Sequence, residues 1–149
     1  MHESVLRDFF QGRTSGKTLA EDLRDSIEKL SEIACYVKIK DMDQNFALTR
    51  AMLVSLCDEV SRGTLAPEML RPIGFALIAS DKFDFPDDDD NVFREVVHDW
   101  SCPEVNYPLT LENVRRFRKW LLNEEPRPKK GEPREGGKIV SILEKKQIT

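Results

Sequence analysis

The sequence predicts an all-α protein: a compact bundle of about four to five helices over residues 1–123, followed by a flexible, basic, Pro/Gly-rich tail over residues 124–149. Three observations lead there. Apolar residues recur at three- and four-residue steps through most of the first 123 positions, which is the spacing of one helix face. No segment of that region alternates apolar and polar residues over a strand's length, so packing helix on helix is the economical way to bury those stripes. From Glu124 the chain reads "EEPRPKKGEPREGGK", too rich in Pro, Gly and charge to bury much apolar surface.

Taken in order, "TLAEDLRDSIEKLSEIACYV" sets Leu19, Leu23, Ile27, Leu30 and Ala34 on one stripe and predicts a long helix lying on the core. The run Phe46–Val60 turns Leu53, Leu56, Cys57 and Val60 inward and stops near Gly63, a candidate C-terminal cap. In "APEMLRPIGFALIASDKF" Pro67 suits a first helical turn, whereas Pro72 would clash with a preceding turn, so the main run is expected to begin there. "NVFREVVHDW" carries Val92, Phe93, Val96, Val97 and Trp100 on a dense stripe, with Asp90 as its expected N-cap. Thr110 is expected to cap "LENVRRFRKWLLN", with Val114, Phe117 and Leu121 inward and Arg115, Arg116, Arg118 and Lys119 mostly outward. The terminal "KIVSILEKK" adds a short strand or helix only if it docks.

A chain of 149 residues is expected to form one domain with its own core. Cys35, Cys57 and Cys102 are odd in number and contain no C-x-x-C pair, which argues against a disulfide framework or a four-ligand zinc site and for a reducing compartment. "MHESVLRDFF" lacks the basic and apolar regions of a signal peptide, and no stretch approaches the roughly 18 apolar residues that span a bilayer. The expectation is a soluble, cytoplasmic protein with no membrane partner.

"GRTSGKT" resembles a phosphate-binding loop but has three free residues where four are needed, and Gln11 stands where the first glycine belongs. Thr18 with Glu21 reads instead as a T-x-x-E capping box that starts a helix. Catalytic candidates are scarce. The histidines are His2 and His98; His98 adjoins Asp99, but neighbouring helix residues point in different directions, so the two do not form a dyad. Cys102 lies four residues beyond His98 with no third or fourth ligand evident. No catalytic residue, metal site or cofactor is therefore expected.

The outlier is "DKFDFPDDDDNVFREVVHDWSCPE": nine acids face Lys82 and Arg94, a local net charge of −7, while residues 113–149 carry a net +6. "DDDD" is dense enough for a calcium loop, yet counting from Asp87 puts Val92 and Asp99 where an EF-hand needs Gly and Glu. One reading is a solvated turn whose repulsion is relieved by the N-terminus of the following helix. The other is a surface for a basic partner, because clustered carboxylates speed association with Lys/Arg-rich sites. If the carboxylates form that partner surface, replacing Asp87, Asp88, Asp89 and Asp90 by Asn is expected to leave the fold intact or slightly more stable, apart from what the cap at Asp90 loses.

Two stretches carry a resemblance. "VLRDFFQGRTSGKTLAEDLRDSI", with Leu6, Phe9, Leu19, Leu23 and Ile27 apolar, and "LRPIGFALIASDKFDF" followed by acids and "VFREVV", resemble the colicin D immunity proteins and their relatives, small bacterial helical proteins that neutralise a tRNA-cleaving toxin. The resemblance covers roughly half of the chain and rests on hydrophobic spacing and acidity. It implies a non-enzymatic inhibitor of the immunity or antitoxin kind, binding a basic nuclease toxin domain through Asp84, Asp87, Asp88, Asp89, Asp90 and Glu95. A second reading is a nucleic-acid-associated or regulatory protein that sets Arg115, Arg116, Arg118, Lys119 and the "PRPKKGEPR" tail on phosphates. The tail's five acids and its lack of aromatic side chains weigh against that reading.

Overall fold

The computed structural model describes residues 1–29, 35–37 and 39–128. The helical class holds. Among these residues six α-helices, α1 (Glu3–Phe10), α2 (Gly16–Ser26), α3 (Arg50–Ser61), α4 (Leu70–Ala79), α5 (Val92–Ser101) and α6 (Leu111–Leu121), are joined by four very short strands and a 3-10 turn, Pro67–Met69. The helix count exceeds the expected four to five because the opening segment folds as a separate helix, α1.

The long helix expected from Leu19 to Ala34 is shorter than its apolar period. α2 ends at Ser26, and Ile27–Lys29 (β1) pairs antiparallel with Cys35–Val37 (β2), Ile27 opposite Val37 and Glu28 opposite Tyr36. β-branched and aromatic residues fit a pleated ladder, and that pairing overrides the helical spacing of Ile27. The expected stripe positions Leu30 and Ala34 lie outside the described residues. The cap of α2 also differs from the expected Thr18: the Ser15 hydroxyl accepts the Thr18 N–H at 3.2 Å, so Ser15 is the capping residue and Thr18 stands in the first turn. Gly12, at φ 74°, turns the chain after α1 early enough for Ser15 to reach that position.

The segment Phe46–Ala47 (β3) was expected to begin a helix; it instead runs parallel to Phe83–Asp84 (β4), with the Phe46 N–H on the Lys82 carbonyl at 2.7 Å and the Leu48 N–H on the Asp84 carbonyl at 2.8 Å. α3 then starts at Arg50 and closes at Gly63, which takes φ 82° as its predicted capping role requires. α4 begins at Leu70, two residues ahead of the expected start, so that Pro72 falls in the first turn, where its missing N–H has no helical partner to lose.

α4 packs on α5, α3 on α6, and α1 on α2. The α4–α5 approach depends on Gly74: a Cβ there would stand 2.8 Å from Trp100 Cβ and 2.9 Å from the Val97 carbonyl oxygen. Trp100, Phe93 and Phe117 are the largest fully buried side chains, and Tyr107, Phe117 and Trp120 meet one another edge to face at centroid distances of 5.2–6.0 Å. Thr110 caps α6 as expected, accepting the Asn113 N–H at 3.2 Å, and Val114, Phe117 and Leu121 are buried with Trp120.

Candidate functional site

The acidic turn joins β4 to α5, and its four consecutive aspartates alternate in what they do. Asp88 Oδ2 accepts the Phe93 N–H at 2.9 Å, and Asp90 Oδ1 accepts the Val92 N–H at 3.1 Å. The cap expected of Asp90 is thus shared with Asp88, while Asn91, at φ 58°, holds the backbone position just before the helix. Asn tolerates that left-handed conformation better than most residues. Both carboxylates also receive Arg50, the first residue of α3: its Nη2 donates to Asp88 Oδ1 at 2.8 Å and to Asp90 Oδ1. The other nitrogen, Nη1, donates to the Leu121 carbonyl at 3.3 Å and to Asn123 Oδ1 at 3.2 Å. One guanidinium therefore ties the start of α3, the acidic turn and the end of α6.

Burial pushes the Asp88 carboxyl up, but the Phe93 N–H and the Arg50 guanidinium outweigh it and hold the group below the ordinary carboxylate value. Asp87 and Asp89 face outward. They are exposed, and among the described residues neither makes an ion pair. Asp84, at the end of β4, is exposed in the same way. Glu95 is exposed as well, but it is paired: Arg127 Nη1 donates to its Oε2 at 2.9 Å. Of the six acids in the expected surface, Asp84, Asp87 and Asp89 face solvent, and Asp88, Asp90 and Glu95 are held by arginines. Neutralising all four aspartates together, expected from the sequence to be harmless, would remove two anchors of the fold.

Sequence reasoning missed Asp99 and Arg127. Asp99 is 1% exposed, and Arg127 Nη2 donates to its two oxygens at 3.1 and 2.8 Å, while Asn106 Nδ2 adds a bond at 3.0 Å. The Arg127 guanidinium also lies 5.6 Å from the Trp120 ring centre and 6.0 Å from that of Tyr107, within reach of a cation–π attraction. A signal was present: Asp99 lies three residues after Val96 and seven after Val92, beside Val92 on the edge of the buried stripe of α5, where a carboxylate needs a cation or donors. An open groove of about 620 Å3 follows this face, lined by Asn91, Arg94, Glu95, His98 and Asn106 beside the Arg127 contact. Of the tail expected over residues 124–149, Arg127 is held against α5, while residues 129–149, including "KIVSIL", lie outside the described residues.

The remaining candidates are dispersed. His98 and Cys102 are exposed near the end of α5, and the described residues contain no group of three or more His, Cys, Asp or Glu arranged to hold a metal. "GRTSGKT" is preceded by a helix rather than by the strand of a phosphate loop. On α6, Arg118 Nε donates to Asp58 Oδ1 at 2.7 Å and Arg116 reaches Glu112 at 3.6 Å, so two of its four bases are engaged within the fold. No helix among the described residues is long and apolar enough to cross a membrane. Comparison of the chain with protein-family models, with curated proteins and with solved structures returned no match.

Proposed function

We propose that the protein is a non-enzymatic, cytoplasmic inhibitor of the immunity or antitoxin kind, which binds a basic nuclease domain through its acidic turn. The observation that carries this reading is the division of labour within "DDDD": Asp88 and Asp90 are spent on α5 and Arg50, which leaves Asp87 and Asp89 exposed on a backbone that is already fixed. Charges held this way lose little freedom on binding and steer a cationic surface towards themselves. Asp84 extends that outward charge, while Asp88, Asp90 and Glu95 keep it in place. α6 supports the nucleic-acid reading less well, because Arg116 and Arg118 already have acidic partners.

The test expresses a candidate nuclease toxin domain, sought first in the genes neighbouring this chain's, and measures association at two salt concentrations. In the double variant D87N/D89N the association rate is expected to fall and its salt dependence to flatten, with an unchanged melting temperature. D88N/D90N is expected to lower the melting temperature instead. Equal rates, equal salt slopes and full protection of cells by D87N/D89N would overturn the proposal.

A further inference from the structure

Residues beyond α6 place an arginine in a site with the parts of a binding pocket. Asp99 supplies a carboxylate that is 1% exposed, and the Arg127 side chain seated on it is 13% exposed. Glu95 supplies a second carboxylate, and Trp120 and Tyr107 supply aromatic faces. Such a set selects a guanidinium over an ammonium, because a planar cation can meet two carboxylates in its plane and an aromatic ring on its face at once. Pro126 and Pro128 flank the arginine, and each restricts the residue before it to extended backbone. The occupant is therefore a short extended segment presenting one arginine.

The site is open beside this segment. The groove on the α5 side continues past Asn91 and Glu95, and a second cavity of about 370 Å3 runs along Asp90, Glu95, Trp120 and Asn123. Through Asp90 the site is continuous with the acidic turn. Its occupant is tethered to α6, so it competes as a ligand of high effective concentration, and among the described residues its side-chain bonds to the bundle are those of Arg127 to Glu95 and Asp99. The sequence carries the same tripeptide again: Glu125-Pro126-Arg127 recurs as Glu132-Pro133-Arg134.

We propose that the Asp99–Glu95–Trp120–Tyr107 site is an arginine-binding site for an extended, proline-flanked segment of a partner protein, and that Arg127 occupies it in cis as a displaceable internal ligand. The inference goes beyond the proposed function and does not need a nuclease. Any partner that presents an arginine in such a segment would displace residues 125–128 and gain the acidic turn alongside.

The test titrates the full chain with the peptide acetyl-Glu-Pro-Arg-Pro-amide and follows tryptophan fluorescence, to which Trp120 reports directly. Arg127→Ala empties the site, so the peptide is expected to bind this variant at least tenfold more tightly than it binds the wild type. Replacing the peptide's Arg by Lys is expected to weaken binding by at least tenfold. Arg127→Lys keeps a cation beside Asp99 should the Ala variant not fold, and it is expected to melt higher when the Arg peptide is added. Equal affinity of wild type and Arg127→Ala, equal affinity for the Arg and Lys peptides, or no saturable response in either variant would overturn the proposal.

Discussion

Arg50→Met removes the guanidinium that joins three segments while keeping most of the aliphatic stem. The Arg50 side chain is 22% exposed and its partner Asp88 is 17% exposed, so this contact is a partly buried charge-assisted bond whose loss costs about 1.5–3 kcal/mol. Asp90 is 48% exposed, and an ion pair in that setting adds at most about 1 kcal/mol. The bonds to the Leu121 carbonyl and Asn123 are long, at 3.3 and 3.2 Å, and contribute about 0.5 kcal/mol each. Because one group makes all four contacts, the values do not add fully, and the expected loss is about 2–4 kcal/mol. At about 3–4 °C per kcal/mol for a chain of this size, the melting temperature should fall by about 6–16 °C. A pH signature accompanies the loss. The Asp88 carboxyl is held below its ordinary value by the Phe93 N–H and Arg50 against the opposing effect of burial, so its stabilisation is present above about pH 3.9 and is lost as the pH falls through the lower native value. With Arg50 gone and the Phe93 N–H still in place, that acid loss should be shallower. Urea unfolding followed by circular dichroism, at pH 7 and at steps down to about pH 3, measures both. Arg62→Met is the control, since Arg62 is 65% exposed in its pair with Glu59 and should matter by under about 0.5 kcal/mol. A loss for Arg50→Met no larger than the control's, or an unchanged acid slope, would refute the reasoning.

Other variants probe the helices and the thiols. Ser15→Ala should cost about 1 kcal/mol by removing the cap of α2, whereas Lys17→Ala should be neutral in stability and partner binding; nucleotide binding lost with Lys17→Ala would restore the phosphate-loop reading. Gly74→Ala should destabilise by about 1–3 kcal/mol in spite of alanine's better helix propensity, since its Cβ would meet Trp100 and the Val97 carbonyl; equal or higher stability would mean that α4 and α5 separate easily. Burial, with Asp58 adding to it, pushes the Cys57 thiol up to about 12 in spite of Arg118 nearby. A thiol reagent at pH 8 should therefore label the exposed Cys102 and spare Cys57 in the folded protein, as read by peptide mass.

Much of the fold was legible because the relevant signals are local. The stripes of α5 and α6, the Thr110 cap and the Gly63 stop each depend on residues within a turn or two, and a period of 3.6 is visible in one sequence. α2 was overextended because Ile27 continues the helical period while its backbone pairs with Val37, a partner that no local pattern identifies. The same limit hid the site. Four aspartates in a row announced an acidic surface, but their division into anchors and outward charges depends on Arg50, separated from Asp88 by 38 positions. Asp99 and Arg127 are 28 apart, and a tail rich in Pro, Gly and charge reads as unpacked even where one of its arginines packs against a buried carboxylate.

The nesting of α4–α5 inside the α3–α6 pair bears on the order in which the chain folds. α4 and α5 are close in sequence, so their docking closes a short loop; bringing α6 onto α3 encloses roughly fifty residues, at an entropic cost of roughly 3–4 kcal/mol if those residues are still loose. A route in which the inner pair condenses first shortens that closure, and the transition state is then expected to hold α4 against α5 while α6 is still arriving. Ile73→Val and Val96→Ala should slow refolding by nearly their full stability loss, whereas Val114→Ala on α6 should chiefly speed unfolding. A native-like contribution of Val114 to the refolding rate would instead mean that the outer pair closes early, around an inner pair not yet formed.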